Sequence, residues 1–184
     1  GTPNQVISVI GDGALTAGMA YEALNHAGHL RRPNFIVVFN DNGMSISENV
    51  GALSKFFAKR VNSSLYNRVR SEVKTVLRGV SSKDLDVFEK AKHLSKAVKE
   101  LFTANHFFEA MGFRYVGPID GHNIPELLKA LEGVKKLSDD AIAEGRRNAG
   151  NPDYLGEPPI LVHVKTIKGL GLKSAESRPV DFHG

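Results

Sequence analysis

Two short, predominantly apolar runs, set about one helix apart, constrain the fold of this chain more than any other feature. The runs cover residues 6–10 and 35–39, and both are rich in β-branched and aromatic residues. Because polar residues do not alternate with them, they indicate strands that are buried on both faces in a parallel sheet. Between them, apolar residues at helical spacing over 14–27, followed by Gly28, predict a helix. These segments predict a right-handed β–α–β unit.

The remainder of the chain continues the alternation of helices and strands. Helical spacing covers residues 64–78 and 84–110, and apolar strand-length runs cover 113–116 and 160–164. A turn over 117–123 leads into a further helix that carries Pro125 in its first turn. A polar stretch follows at 138–159, and we expect a long, partly mobile loop at 44–62. The sequence predicts an α/β fold, with a parallel sheet that has helices on both faces.

Composition narrows the class of protein. The chain has 184 residues, of which 41% are hydrophobic and 24% charged, as expected of one globular domain. No apolar run is long enough to span a membrane, and the absence of cysteine excludes a disulfide framework and favours the cytosol. The net charge of +4 comes from dispersed basic residues, which fits a small phosphorylated ligand better than a nucleic acid. We expect a cytoplasmic protein that binds neither nucleic acid nor a membrane.

Two polar turns follow the first two predicted strands directly. The first is G-D-G at 11–13 and the second is N-D-N at 40–42. A helix of fifteen residues spans about 22 Å, and a six-residue strand spans about 20 Å, so the chain returns to the same edge of the sheet. Both turns therefore lie at the carboxyl ends of parallel strands, where open α/β sheets bind ligands.

The residue types in these turns suit a diphosphate held through a divalent cation. Gly11 and Gly13 allow close approach of the backbone, N–H groups at the start of the next helix favour an anion, and Asp12 and Asn42 carry oxygen ligands for Mg²⁺. Each turn alone is also an ordinary turn dipeptide, but their mirrored positions favour a ligand site. The dinucleotide fingerprint does not fit, since Thr16 stands where its third glycine belongs, and no Walker motif is present.

The sequence around these turns resembles that of a known family. Residues 11–28, which read GDGALTAGMAYEALNHAG, and residues 40–53, which read NDNGMSISENVGAL, are similar to the 1-deoxy-D-xylulose-5-phosphate synthase family. The segments YVGPIDGH at 115–122 and FHG at 182–184 also resemble it, in the same order. The resemblance implies a thiamine-diphosphate-binding fold and a homodimer. It also implies an enzyme that joins pyruvate to D-glyceraldehyde 3-phosphate with release of CO₂, on the non-mevalonate isoprenoid route.

The resemblance also implies roles for residues of the two turns. Carried over by position, Asp12, Asn42 and the backbone carbonyl of Met44 bind Mg²⁺. The diphosphate of the cofactor is held by Gly13, Ala14 and Asn42, and Asp12 is also expected among the cofactor-binding residues. In this family the chemistry belongs to the thiazolium ring of the cofactor, and the protein positions it.

Four of the seven histidines have an expected role, one as a catalytic candidate and three in other roles. His183 falls where the family has a histidine near the reacting centre, and we expect it to assist proton transfer or to orient the bound substrate. We interpret His122 as part of a turn and helix cap and His163 as a core residue, while His26 either packs in its helix or faces the cofactor. Leu172 departs from the family, which often has an aromatic residue there.

We interpret residues 1–184 as the diphosphate-binding domain of a larger synthase, truncated at its start. The resemblance implies that the remaining domains supply a glutamate that activates the cofactor, so that this piece alone has no turnover. Two alternatives stay open on the sequence: another thiamine-diphosphate enzyme, such as a transketolase or a 2-oxoacid dehydrogenase subunit, and a non-catalytic module that binds a phosphate or a partner.

Overall fold

The structure, a computed structural model, describes residues 4–44, residue 51 and residues 106–182. The predicted helix at 64–78, the predicted catalytic His183, and most of the predicted 44–62 loop and 84–110 helix lie outside the described residues. Of that last helix, residues 106–110 are described and helical. The other elements are β1 (Val6–Gly11), α1 (Asp12–Leu15), α2 (Gly18–Leu30), β2 (Phe35–Asp41), β3 (Arg114–Asp120), α3 (Ile124–Arg147), β4 (Ile160–Lys165) and α4 (Lys173–Ser177).

The four strands form one parallel sheet in the order β1-β2-β4-β3. In the register of β1 and β2, Val6 lies opposite Phe35 and Gly11 lies opposite Asn40. All four strands therefore end at the same edge of the sheet, which is the arrangement that the strand–helix alternation predicts.

Helices cover both faces of the sheet. Because successive residues of β2 point to opposite faces, this strand contributes side chains to two buried clusters, one on each face. One buried cluster joins α1, α2 and the 106–110 segment to the first face, and α3 packs on the second. Phe39, Phe108 and Leu161 are fully buried in the first cluster, and Val162 is fully buried in the second. Each such side chain stabilises the fold by roughly 1.5–3 kcal/mol. The predicted fold class is confirmed.

The prediction that β1 is buried is wrong. More than half of the surface of Val6 and of Ile7 is exposed, and Val9 is 72% exposed. The cause is the strand order, because β1 lies at the edge of the sheet and pairs with β2 alone among the described strands. Ile10, at its carboxyl end, is the residue of β1 that packs against the first cluster.

The first helix is also interrupted, where the sequence predicts one continuous helix over 14–27. The Thr16 hydroxyl donates a hydrogen bond of 2.7 Å to the Gly13 carbonyl, and the backbone of Ala17 is extended. This local bond ends α1 and lets α2 begin with a new direction. At its other end, α2 passes Gly28 and stops at Arg31, which has a left-handed φ of 48°.

Strand β3 is longer than the sequence predicts. The predicted turn beginning at Gly117 is instead a continuation of the strand as far as Asp120. A shift in the register with β4, between Val116 and Ile119, accommodates Pro118, which lacks a backbone N–H for the ladder. The polar turn therefore begins only after Asp120.

Helix α3 takes up residues that the sequence assigns to a polar stretch. Asn123 caps it, since its side chain accepts the Glu126 N–H at 3.2 Å, and Pro125 lies in the first turn as predicted. The helix continues through Ser138, whose hydroxyl is buried and donates to the Pro33 carbonyl at 2.8 Å. None of the helices formed by the described residues is long and apolar enough to cross a membrane.

Candidate functional site

The two polar turns lie side by side at the carboxyl edge of the sheet. Since Gly11 is paired with Asn40, Asp12 at the start of α1 lies beside the N-D-N turn at the end of β2. Asp12 and Asp41 are both buried, at 6% and 2% exposure. The structure therefore brings the two motifs together, as the spacing predicts.

The Asp12 carboxylate links one turn to the other. The backbone N–H groups of Gly43 and Gly13 act to lower its pKa, so Asp12 interacts with its own turn and with the turn after β2. Burial raises the pKa of Asp12, and the nearby Asp41 carboxylate raises it further, against the lowering effect of these N–H groups. Asp12 thus has the electrostatic environment of a carboxylate that a cation would stabilise.

The N-D-N turn is closed by hydrogen bonds from its own backbone. The Gly43 N–H donates to Asp41 Oδ1 at 3.2 Å, and the Met44 N–H donates to Asn42 Oδ1 at 2.9 Å. Gly43 has a φ of 76°, a left-handed conformation that favours glycine. The turn places Asn42 and Met44 on either side of the glycine that contacts Asp12. The three predicted metal ligands, Asp12, Asn42 and Met44, therefore lie in the two adjacent turns at residues 11–13 and 40–44. We call these two turns the turn cluster.

The predicted contacts of Gly13 and Ala14 with an anion are neither confirmed nor contradicted. Both residues lie in α1, which has four residues, directly after Asp12. The Gly13 N–H already interacts with the Asp12 carboxylate and acts to lower its pKa. Among the described residues, no three histidine, cysteine or acidic side chains cluster as metal ligands. A metal here would rely on one carboxylate together with amide and carbonyl oxygens.

A buried polar network behind the N-D-N turn is the feature that sequence reasoning missed. Asp41 Oδ2 lies 3.0 Å from His163 Nε2 and 2.9 Å from Lys165 Nζ. The Tyr115 hydroxyl lies 2.7 Å from His163 Nδ1 on the other side of the ring. His163 is fully buried and packs against Phe39 at a centroid distance of 4.8 Å, with the two rings tilted by 32°, so the interpretation as a core residue is confirmed.

Strand register explains this network and is the signal that would have found it. Asp41 lies opposite Lys165, and Phe39 lies opposite His163, on the neighbouring strands β2 and β4. Once β4 is known to pair with β2, charged residues at the ends of both strands are expected to meet. The sequence alone does not reveal that pairing, because 118 residues separate Asp41 from Ile160, the first residue of β4.

His122 has a structural contact, in line with its interpretation as part of a turn. Its Nε2 atom accepts the Ile167 N–H at 2.7 Å, and its own backbone N–H donates to Asp120 Oδ1 at 2.9 Å. The helix cap itself is Asn123, not His122. His122 therefore joins the loop after β3 to the loop after β4.

Two further residues singled out in the sequence, His26 and Leu172, are both exposed. His26 lines a cavity of about 900 Å³ together with Arg32 and Phe35, the first residue of β2. Because the two acidic turns lie at the opposite end of the strands and His26 is exposed, the structure supports neither a packed His26 nor a contact between His26 and a ligand of those turns. Leu172, the departure from the family pattern, is 55% exposed and precedes α4.

The fold and the site define the class of protein: an α/β domain with a parallel sheet and a candidate ligand site of oxygen donors at the carboxyl ends of two adjacent strands. Comparison with known proteins narrows this class. The profile described as 1-deoxy-D-xylulose-5-phosphate synthase matches residues 1–144. The chain belongs to the 1-deoxy-D-xylulose-5-phosphate synthase family.

Curated relatives align with this chain over its whole length. Identity is 45% over 184 residues to 1-deoxy-D-xylulose-5-phosphate synthase 2 of Geobacter sulfurreducens and 41% over 184 residues to synthase 1 of the same organism. Identity is 43% over 183 residues to the synthase of Francisella tularensis subsp. holarctica. Each alignment covers 100% of this chain and 26% of the relative. The chain therefore spans about a quarter of the length of these relatives.

Proposed function

We propose that the protein containing this chain joins pyruvate to D-glyceraldehyde 3-phosphate, forming 1-deoxy-D-xylulose 5-phosphate and CO₂, with thiamine diphosphate and Mg²⁺ as cofactors. Family membership and the names of the relatives support the reaction. The observation that carries the proposal is that the two turns lie side by side at one edge of the sheet, with Asp12 buried beside the N-D-N turn. The proposal includes a cytoplasmic homodimer whose remaining domains complete the site.

The residues of the turn cluster fit a divalent cation. Burial and the Asp41 carboxylate raise the pKa of Asp12, so a positive charge beside Asp12 would relieve an unfavourable interaction. Asn42 Oδ1 accepts one N–H, from Met44, and an amide oxygen has a second lone pair to offer. Oxygen donors of this kind are what Mg²⁺ prefers. We assign Asp12, Asn42 and the Met44 carbonyl to the metal.

The diphosphate end of the cofactor would be held by the same edge of the sheet. We assign its contacts to Gly13, Ala14 and Asn42. The small side chains of Gly13 and Ala14 leave the backbone accessible to an anion, and Asn42 carries a polar side chain. When bound, thiamine diphosphate supplies a carbon nucleophile and an electron sink for decarboxylation. His183, outside the described residues, is proposed to hold or move a proton near the substrate.

The test is calorimetry of thiamine diphosphate binding to the full-length protein, with and without Mg²⁺. We expect binding that requires Mg²⁺ and that weakens at least about tenfold in Asp12→Ala, because the metal loses its charged ligand. The control is Asp139→Ala, which removes a carboxylate on the outer surface of α3. Equal affinity in Asp12→Ala and the unaltered protein would contradict the assignment.

A product assay distinguishes the proposed reaction from the alternative functions. With pyruvate, D-glyceraldehyde 3-phosphate, Mg²⁺ and the cofactor, the full-length protein is expected to release CO₂ and to form 1-deoxy-D-xylulose 5-phosphate. Cofactor binding without this product would favour another thiamine-diphosphate reaction of the transketolase type. Absence of both would favour a non-catalytic module.

A further inference from the structure

We propose that His163 and Thr166, at the carboxyl end of β4, are positioning residues that hold the N-D-N turn in the conformation that presents Asn42 to a metal ion. They act through Asp41 and Asn40, the two residues that precede Asn42. This inference rests on the proposed function, because it concerns the same site. It gives a role to residues that the proposed function does not assign to the metal or to the cofactor.

The end of β4 holds Asn40 and Asp41 from both faces of the sheet. The Thr166 hydroxyl donates a hydrogen bond of 2.7 Å to Asn40 Oδ1, and Asp41 Oδ2 lies 3.0 Å from His163 Nε2. Because successive residues of a strand point to opposite faces, these two contacts lie on different sides of β2. The Thr166 N–H also donates to the Asp41 carbonyl at 3.0 Å. Strand β2 is therefore fixed to β4 up to the residue before Asn42.

The Asp41 carboxylate connects β4 to the turn itself. Its Oδ2 atom faces His163, and its Oδ1 atom accepts the Gly43 N–H at 3.2 Å. Because a carboxylate is planar, a contact that fixes Oδ2 also fixes Oδ1 and the position of the N–H that it accepts. Gly43 separates Asn42 from Met44, and the Met44 N–H donates to Asn42 Oδ1 at 2.9 Å. A displaced Asp41 would therefore move both residues of this turn that we assign to the metal.

Burial and a second hydrogen bond fix the orientation of His163. The ring is fully buried beside Phe39, and its Nδ1 atom lies 2.7 Å from the Tyr115 hydroxyl. Because a carboxylate only accepts, Nε2 carries the proton that is donated to Asp41, and Nδ1 of the neutral ring accepts the Tyr115 hydroxyl. A buried side chain with a partner on each ring nitrogen is a rigid support for the carboxylate that it contacts.

The test measures Mn²⁺ binding to the full-length protein at saturating thiamine diphosphate, followed by electron paramagnetic resonance. Thr166→Val keeps the shape of the side chain and removes the hydroxyl. It should weaken Mn²⁺ binding about five- to tenfold, because Asn40 loses its partner and the turn is held less firmly. Thr166→Ser keeps the donor and should stay within about twofold of the unaltered protein.

A second pair of variants tests the contact on the other face of β2. His163→Leu has no group that can hydrogen-bond to Asp41, and it should weaken Mn²⁺ binding by a factor similar to that in Thr166→Val. His163→Gln keeps a donor for Asp41 and an acceptor for Tyr115, so its affinity should stay within about threefold of the unaltered protein. If His163→Leu does not fold, the Thr166 pair decides the outcome.

The matched control removes a buried hydroxyl at the other end of β2. Ser138 is fully buried, and its hydroxyl donates to the carbonyl of Pro33, two residues before β2 begins. We expect Ser138→Ala to lose about as much stability in urea unfolding as Thr166→Val, since each loses one hydroxyl hydrogen bond. Its Mn²⁺ affinity should be unchanged, because the turn cluster lies at the opposite end of the strand.

The outcomes distinguish this inference from the proposed function. Unchanged Mn²⁺ affinity in Thr166→Val, or an equal loss of affinity in Thr166→Val and Ser138→Ala, would overturn the positioning role while leaving the proposed function in place. If the unaltered protein shows no metal-dependent binding of thiamine diphosphate, the proposed function fails, and this inference fails with it. A loss of affinity in Thr166→Val that Thr166→Ser restores would support the proposal.

Discussion

At the scale of single residues, the two aspartates of the site show how strongly partners decide the state of a carboxyl group. Burial raises the pKa of Asp12, and repulsion from Asp41 adds to the effect. For Asp41, burial also acts to raise the pKa, but the His163 hydrogen bond and the Lys165 charge outweigh it, so that its pKa is lowered. The stabilisation that Asp41 contributes is therefore present above the usual aspartate pKa and is lost as the pH falls through its lowered value.

His163 also makes the stability of the protein depend on pH, and here the cause is burial of the ring. Burial lowers the pKa of His163, so the folded protein keeps this ring neutral while an unfolded histidine takes up a proton below about pH 6.5. The unfolded state then binds more protons, and His163 makes the fold less stable as the pH falls below that value. Glutamine has a donor for Asp41 and an acceptor for the Tyr115 hydroxyl but does not titrate.

We therefore expect His163→Gln to be less stable than the unaltered protein at pH 7.5 and to lose less stability on acidification. The difference should narrow by about 1 kcal/mol between pH 7.5 and pH 5.5, measured by urea unfolding of the full-length protein. His29→Gln, an exposed site in the last turn of α2, is the control and should follow the unaltered profile. Parallel profiles for His163→Gln and the unaltered protein would show that the buried ring does not contribute in this way.

At the scale of elements, the contact of α2 with the turn before β3 depends on one glycine. A Cβ atom built on Gly28 would lie 1.8 Å from the Met111 carbonyl oxygen, and Gly112 approaches the same point with a φ of 90°. The two backbones therefore touch at a distance that no side chain permits. The same residue that looks like a helix stop in the sequence is a packing residue within the helix.

Gly28→Ala is expected to destabilise the protein by about 2 kcal/mol, because backbone atoms must move apart to admit the methyl group. The matched control is Gly133→Ala in α3, where nothing lies within 4 Å of the added Cβ atom. There the higher helix propensity of alanine should stabilise the protein by up to about 1 kcal/mol. Both are measured as shifts in urea unfolding, and a loss of stability in Gly133→Ala equal to that in Gly28→Ala would contradict the packing argument.

At the scale of the whole molecule, the chain is short compared with its relatives. The residues that we propose as ligands of a metal and a diphosphate lie in the turn cluster, and the chain spans 26% of the length of its relatives. Strand β1, which carries the first turn, has exposed apolar residues at the edge of the sheet. The rest of a synthase would have to provide the groups that act on the reacting end of the cofactor.

We therefore expect the 184-residue chain, produced alone, to form no 1-deoxy-D-xylulose 5-phosphate from pyruvate and D-glyceraldehyde 3-phosphate with Mg²⁺ and thiamine diphosphate. The full-length protein assayed under the same conditions is the positive control, and circular dichroism establishes that the isolated chain is folded. Product formation by the folded chain would show that these residues contain a complete active site.

The sequence could predict much of the fold because its strongest signals are local. Continuous apolar runs identified the second and fourth strands to within two residues, and helical spacing found α2 and the start of α3. The errors arose where local signals compete with tertiary contacts. The Thr16 hydroxyl divides the first helix, and pairing with β4 carries β3 past Gly117 to Asp120.

The candidate site likewise combines features that the sequence predicts with features that only the tertiary structure shows. The sequence by itself determined the two turns and their common edge, because strand and helix lengths decide where the chain returns, while the ligand roles of Asp12 and Asn42 stay a prediction. Only the tertiary structure decided that β1 is an edge strand and that Asp41 meets His163 and Lys165. Those contacts depend on the order of the strands and the register between β2 and β4, which long-range packing determines and which local residue patterns do not specify.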